Sequence, residues 1–151
     1  MIWLFLFIAI VALVVFMGQK GKRSAQEAAL GRLRDEFPKI GRLRLVAACP
    51  GLDGVLEQGD LRQLFDWIMI QLFRRSNTSS LTGLMNWSIK QGEEAANAMT
   101  AEVTREAVDR LPARSLAAID ECQGREFAAV VLDQALTEAG ERATKKRHRI
   151  G

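Results

Sequence analysis

The sequence predicts an all-α protein: one N-terminal transmembrane helix followed by a compact cytoplasmic bundle of about five or six helices. Two observations lead to this class. Residues 1–18 contain no charged side chain, whereas the rest of the chain mixes charged and apolar residues. In the rest, the apolar residues recur mostly at helical spacing, and a lone strand without a partner could not satisfy its ladder.

The apolar residues 1–17 are expected to cross a membrane as a helix. At ~1.5 Å per residue they span about 25 Å, which is short of a ~30 Å hydrocarbon core but within the range of known spans. A helix satisfies its own backbone hydrogen bonds in lipid. The residues expected within the membrane include Trp3, Phe5, Phe7, Ile10, Leu13 and Phe16. The basic residues Lys20, Lys22 and Arg23 flank this span.

Two alternatives for this segment have less support. A cleaved signal peptide carries basic residues before its apolar run and a small-residue cleavage site after it. Here no Lys or Arg precedes the run, and the basic residues follow it. A core helix of a soluble protein would need burial on all sides, which nothing else in the chain could supply. We therefore expect an uncleaved anchor.

The basic residues after the span predict its orientation. The positive-inside rule places the N-terminus outside and residues 19–151 in the cytoplasm. Cytosolic cysteines are kept reduced, so no structural disulfide is expected between Cys49 and Cys122. Each is expected to serve as a small buried apolar residue.

Four segments follow from composition. They are an anchor (1–18), a basic juxtamembrane helix or stalk (19–49), a helical domain (50–142) and a basic tail (143–151). The formal charge of +3 is unevenly distributed, because both ends of the part after the anchor are basic and its body is acidic. The basic residues assigned to this tail, together with the one just before it, are Arg142, Lys145, Lys146, Arg147 and Arg149.

The juxtamembrane segment is expected to hold two helices. Ser24 and Glu27 fit a capping box that would start the first, and Pro38 is expected to stop it, because the residue before a proline is pushed out of the α region. Residues 39–49 fit either a helix or a strand, and the lack of a partner strand favours a short helix. Turn-forming residues then occupy positions 50–54.

Residues 60–76 form the most informative stretch of the body. Asp60 is expected to cap a helix whose apolar stripe would dock it on a core. The side chains of Trp67, Ile70 and Phe73 lie off that stripe. Either the helix is central and buried on most sides, or these residues and Trp87 contact a partner or the bilayer surface. We predict a contact patch formed by Trp67, Ile70, Phe73 and Trp87.

The second half of the body is expected to contain further helices. One covers residues 81–99, with Gly92 in its interior where a neighbouring helix approaches closely. Thr100 is expected to cap the next, which Pro112 ends. A short helix then ends near Gly124. A last helix is expected from residue 125 to about residue 143, followed by a frayed tail.

The sequence contains few residues in patterns that are typical of catalytic, metal-binding or cofactor-binding sites. Its one histidine, His148, lies in the basic tail, which argues against a Ser-His-Asp site or a multi-histidine metal centre. The cysteines form no CxxC pair, no nucleotide-binding glycine loop is present, and the acids at 53–60 lack calcium-loop spacing. Adjacent acids such as Glu93 and Glu94 point to different faces of a helix. We expect no catalytic, cofactor-binding or metal site.

These observations favour a non-catalytic protein. We expect a single-pass accessory, assembly or scaffold subunit that presents a helical protein-interaction module at the cytoplasmic membrane face, within a membrane complex or a homo-oligomer. An alternative is a membrane-surface module in which residues 20–44 and the tail bind anionic lipid. A weaker one is a nucleic-acid tether, which lacks the usual aromatic interleaving and fold.

Overall fold

The structure, a computed structural model, describes the backbone of residues 22–150 and the side chains of residues 27–143. This part of the chain contains six α-helices and no β-strand, which confirms the all-α class. The helices are α1 (Lys22–Ala48), α2 (Gln58–Ser76), α3 (Leu81–Gln91), α4 (Glu93–Val108), α5 (Ala113–Glu121) and α6 (Arg125–Ile150). A 3₁₀ turn, Pro50–Leu52, lies between α1 and α2.

The predicted membrane span, residues 1–18, lies outside the described residues. Within the described part of the chain, no helix is both long enough and apolar enough to cross a bilayer. The single-pass anchor, and the orientation that was inferred from it, therefore stay predictions.

The core forms where α1, α2, α4 and α6 pack together. α1 lies along α6 and α2, and α4 packs against α6 and α2. The rings of Phe37 on α1 and Phe65 on α2 are buried, with centroids 5.7 Å apart. A Cβ atom on Gly41 would lie 3.3 Å from side-chain atoms of Leu61 and Leu132. Glycine at this position thus lets α1 approach both neighbours closely.

α1 continues through Pro38, so the predicted helix end at this residue is wrong. A proline inside a helix costs about 3 kcal/mol, mainly through a lost backbone hydrogen bond and a steric clash. Leu33, Phe37 and Ile40 are almost fully buried around it. Burial of each such side chain contributes roughly 1.5–3 kcal/mol, which together exceeds the cost of the proline. The expected helical state of residues 39–48 is confirmed, as part of the same helix.

Gly92 separates two helices rather than lying inside one, so the predicted single helix over 81–99 is wrong. Its φ of 96° belongs to a region that side chains rarely adopt, and the chain turns there from α3 into α4. A Cβ atom on Gly92 would meet nothing within 4 Å, so no close helix contact explains this glycine. Thr100 consequently lies inside α4, where its hydroxyl donates to the Ala96 carbonyl oxygen, and is not a cap.

Glu57, and not Asp60, is the N-cap of α2, so the predicted cap is wrong. Asp60 lies in the first turn of α2, where its carboxylate accepts a 3.1 Å hydrogen bond from the Glu57 backbone N–H. Ser80 caps α3 by accepting from the backbone N–H of Gly83 at 3.0 Å. The backbone of α6 stays helical to Ile150, beyond the end expected near residue 143.

Cys49 and Cys122 form a disulfide, so the expectation of two unpaired cysteines is wrong. Cys49 directly follows α1 and Cys122 directly follows α5, and their Cα atoms are 5.9 Å apart although 73 positions separate them in sequence. The packing of α5 against the 3₁₀ turn brings these two helix ends together. Sequence separation gives no indication of such a contact, because it depends on how non-adjacent elements pack.

Candidate functional site

A cleft of about 300 Å³ lies between the first half of α2 and the segment that connects α4 to α5. Asp60, Gln63, Leu64 and Trp67 occur at the three- and four-residue intervals that place side chains on one helical face. This face forms one wall of the cleft. The opposite wall is formed by Arg110 and Pro112.

Trp67 and Arg110 form the most specific contact in this cleft. The guanidinium carbon of Arg110 lies 4.5 Å from the centroid of the Trp67 ring, within the range of a cation–π interaction. Trp67 is half-buried and Arg110 is exposed. The cleft thus combines an aromatic surface, a cation, and the carboxylate and amide groups of Asp60 and Gln63. Such a lining can bind an apolar group and orient polar groups beside it.

The connection to Arg110 and Pro112 was not foreseen from the sequence. The spacing of residues 60, 63, 64 and 67 could have suggested a shared face. Nothing in the sequence indicates that the segment after α4 lies opposite that face. This placement depends on Leu111, which is buried between its two cleft-lining neighbours and holds the segment against the core.

The members of the predicted contact patch lie on different faces. Ile70 is half exposed at 50%, whereas Trp67, Phe73 and Trp87 are half-buried and pack partly against the core. Residues three positions apart on a helix are separated by about 60° around its axis, so Trp67 and Phe73 flank Ile70 on opposite sides. Trp67 and Ile70 therefore belong to adjoining surfaces, and Phe73 lies on the far side of Ile70 from the cleft. Whether any of these residues meets a partner stays a prediction.

Three arginines of the basic region that was considered for lipid binding make ion pairs within the bundle. These pairs join neighbouring elements, and exposed pairs of this kind contribute little to stability. Their positive charge is partly compensated by the bundle's own acids, which leaves less of it for anionic lipid. The pairs are Arg34 with Asp66 (2.8 Å), Arg42 with Asp53 (3.0 Å) and Arg44 with Glu138 (2.7 Å).

The remaining predicted membrane and lipid contacts are mostly outside the described side chains. This applies to the span, to Lys20, Lys22 and Arg23, and to the tail beyond residue 143. Arg142 is described, and its guanidinium lies 3.6 Å from the Glu138 carboxylate one helical turn earlier. The lipid and nucleic-acid hypotheses therefore stay predictions.

One carboxyl group has an unusual acidity. Burial raises the pKa of Asp133 on α6 to about 6. Acid–base catalysis needs a second group or a substrate position within reach, and the raised pKa alone provides neither. Within the described residues, no group of three or more histidine, cysteine, aspartate or glutamate side chains is arranged to hold a metal ion.

Comparison with known proteins adds no relative. The chain matches no protein-family model, no curated protein and no solved structure.

Proposed function

We propose that the protein is a non-catalytic, single-pass membrane subunit whose helical domain binds a partner protein through the cleft beside Trp67. The observation that carries this proposal is the cleft itself, in which Trp67 and Arg110 form one contact surface. Trp and Arg are among the residue types that dominate binding energy at protein interfaces, especially beside a pocket. An apolar side chain of the partner fits over Leu64 and Pro112, and its polar groups can pair with Asp60 and Arg110.

The exposed side chain of Ile70 extends this surface. It lies one helical turn after Trp67, on the adjoining outer face of α2. An isolated exposed isoleucine needs no explanation, but one beside a cleft enlarges the apolar area a partner can cover. The contact proposed here is centred on Trp67, Arg110 and Ile70.

The membrane part of the proposal comes from the sequence. Residues 1–17 supply the anchor, and the basic residues that follow favour a cytoplasmic domain. Attachment restricts the domain to the membrane surface and raises its effective concentration for a partner in the same membrane. This arrangement suits an accessory or assembly subunit.

The proposal is tested by extracting the full-length, tagged protein in mild detergent and identifying stoichiometric companions by mass spectrometry. We expect a companion that is lost with Trp67→Ala and with Ile70→Asp. The Ile70 variant keeps the test valid if Trp67→Ala fails to fold, because Ile70 is exposed. Ile89→Asp on α3 is the matched control, since Ile89 is 60% exposed and lies outside the proposed contact.

Two outcomes would overturn the proposal. One is the absence of any stoichiometric companion, after which flotation with anionic liposomes would test the lipid hypothesis. The other is a companion that Ile70→Asp retains as fully as Ile89→Asp does, which would place the contact elsewhere.

A further inference from the structure

We infer that Cys49 and Cys122 form a redox latch, meaning a reversible disulfide that restrains α5 when it is formed and lets α5 move when it is reduced. The structure contains the oxidised form, in which the disulfide joins the end of α1 to the end of α5. This latch rests on the cytoplasmic location of the proposed function and not on the identity of the partner.

α5 is only thinly anchored by its own side chains. Ser115 and Ile119 are its buried residues, and the Ser115 hydroxyl has no hydrogen-bond partner among the described residues. Its main neighbours are the 3₁₀ turn and α6. A segment with few buried apolar contacts opens at a lower free energy than the core does. The disulfide thus adds a restraint to a helix that has few fully buried side chains of its own.

The two cysteine residues differ in their exposure to solvent. Cys49 is 3% exposed, whereas Cys122, which directly follows α5, is exposed. The Sγ atom of Cys122 lies 3.3 Å from the Ala48 carbonyl oxygen. A soluble thiol or disulfide can therefore reach Cys122 while Cys49 stays shielded, which gives the pair an attacking cysteine and a resolving one.

Closure of the latch is a balanced thiol–disulfide exchange with glutathione disulfide. The Cys122 thiolate attacks one sulfur of the oxidant, which forms a mixed disulfide and releases one glutathione thiolate. The Cys49 thiolate then attacks the Cys122 sulfur and releases the second. One disulfide is formed and one is broken, two electrons pass to the oxidant, and the two thiol protons end on the released glutathiones. Reduction by glutathione is the reverse sequence.

The predicted cytoplasmic location makes this exchange a switch. The cytosolic glutathione pool keeps accessible disulfides reduced, so the pair is expected to be a dithiol in unstressed cells and a disulfide under oxidative stress. α5 begins at Ala113, next to the cleft wall formed by Arg110 and Pro112. Loosening α5 therefore acts on the segment that borders the cleft.

The redox state is tested first, by trapping thiols of the full-length protein in intact cells with an alkylating agent. We expect both cysteines to be alkylated before treatment with diamide and neither afterwards. A disulfide that is complete in unstressed cells would overturn the latch and indicate a permanent structural bond. A pair that diamide never oxidises would overturn it as well.

Hydrogen exchange of the full-length protein in detergent tests the conformational consequence. On reduction, we expect amides 115–122 to lose protection relative to amides 61–72 of α2 by about tenfold or more. The variant carrying Cys49→Ser and Cys122→Ser should show the reduced pattern whether or not reductant is present. If protection of α5 relative to α2 does not change, the disulfide does not control α5.

Discussion

α2 and α5 differ in how much of their attachment to the bundle comes from apolar burial. α2 buries most of one face, including Leu61, Phe65, Ile68 and Leu72, whereas α5 buries only Ser115 and Ile119. Each fully buried apolar side chain contributes roughly 1.5–3 kcal/mol, so burial contributes more to holding α2 than to holding α5. In α5, Ile119 is the fully buried apolar residue, and Leu116 and Ala118 pack partly against the core.

Covalent and ionic links supplement the burial of α5. Its end is bonded to Cys49 through Cys122, and Arg125 binds Asp120 at 3.0 Å and Asp109 at 2.9 Å. These links respond to redox state, pH and salt, whereas apolar burial responds mainly to packing. α2 also makes exposed ion pairs, through Asp66 with Arg34 and through Arg75 with acids of α4. Because α2 buries a much larger apolar face, we expect its position to depend less on redox state, pH and salt than the position of α5 does.

The largest expected effect is on the α2 side. Phe65→Ala removes a ring that is 2% exposed and packs on Phe37, and leaves a cavity in a close-packed region. We expect the free energy of unfolding to fall by about 3–5 kcal/mol, as is usual for a buried aromatic residue. Denaturant unfolding of the full chain in detergent, followed by circular dichroism, measures it.

Phe127→Ala is the matched control for that prediction. Phe127 is 39% exposed at the start of α6, so its removal should cost less than half as much. Equal losses from the two variants would contradict the account of α2 as the helix held by burial.

The next effect concerns the disulfide. Removing both sulfur atoms with Cys49→Ser and Cys122→Ser opens a loop of 73 positions, which increases the conformational freedom of the unfolded chain. Loss of such a bond costs about 2–4 kcal/mol. The variant and the oxidised protein are compared by denaturant unfolding without reductant.

Reductant provides the internal control for this prediction. It should lower the stability of the wild-type protein towards that of the double variant and leave the variant unchanged. Identical stability of oxidised and reduced wild-type protein would show that the bond does not stabilise the fold.

The smallest expected effect is that of Arg125→Gln. The Arg125 guanidinium holds the pKa of Asp120 below its ordinary value, mainly through a direct hydrogen bond. A lowered pKa in the folded state means that ionised Asp120 stabilises the fold above its ordinary pKa, and that this contribution disappears as pH falls through the lowered value. The pair is exposed, so the stabilisation should be small and should weaken with salt.

Thermal unfolding of wild type and Arg125→Gln at neutral and acidic pH, each at low and high salt, checks this prediction. We expect the difference in melting temperature to be greatest at neutral pH and low salt. A difference that does not change with pH or salt would mean that Arg125 acts through packing.

Much of the secondary structure follows from local sequence patterns. The apolar stripe over residues 60–76 correctly predicted α2, and the pattern after Gly124 correctly predicted α6. Pro38 and Gly92 were interpreted wrongly for opposite reasons. The burial of Leu33 and Phe37 outweighs the local cost of Pro38, whereas no packing outweighs the tendency of Gly92 to end a helix. Local signals are thus reliable where tertiary burial does not compete with them.

Sequence analysis could predict residues on only one wall of the candidate cleft. Trp67 was singled out because it lies off the apolar stripe, and its relation to Ile70 follows from helical spacing. Arg110 could not be connected with it, because the cation–π contact joins residues of two elements that only the packing of α2 and α4 brings together. The same reason explains why the cysteine pair was missed.

The all-α class and most of the helices follow from the amino-acid sequence, because apolar periodicity and turn residues act over short distances along the chain. Three features appear only in the tertiary packing: α1 passes through Pro38, Cys49 meets Cys122, and Arg110 covers Trp67. Each of these depends on which surfaces pack together. That choice is made by the summed burial of distant residues, and no local pattern encodes it.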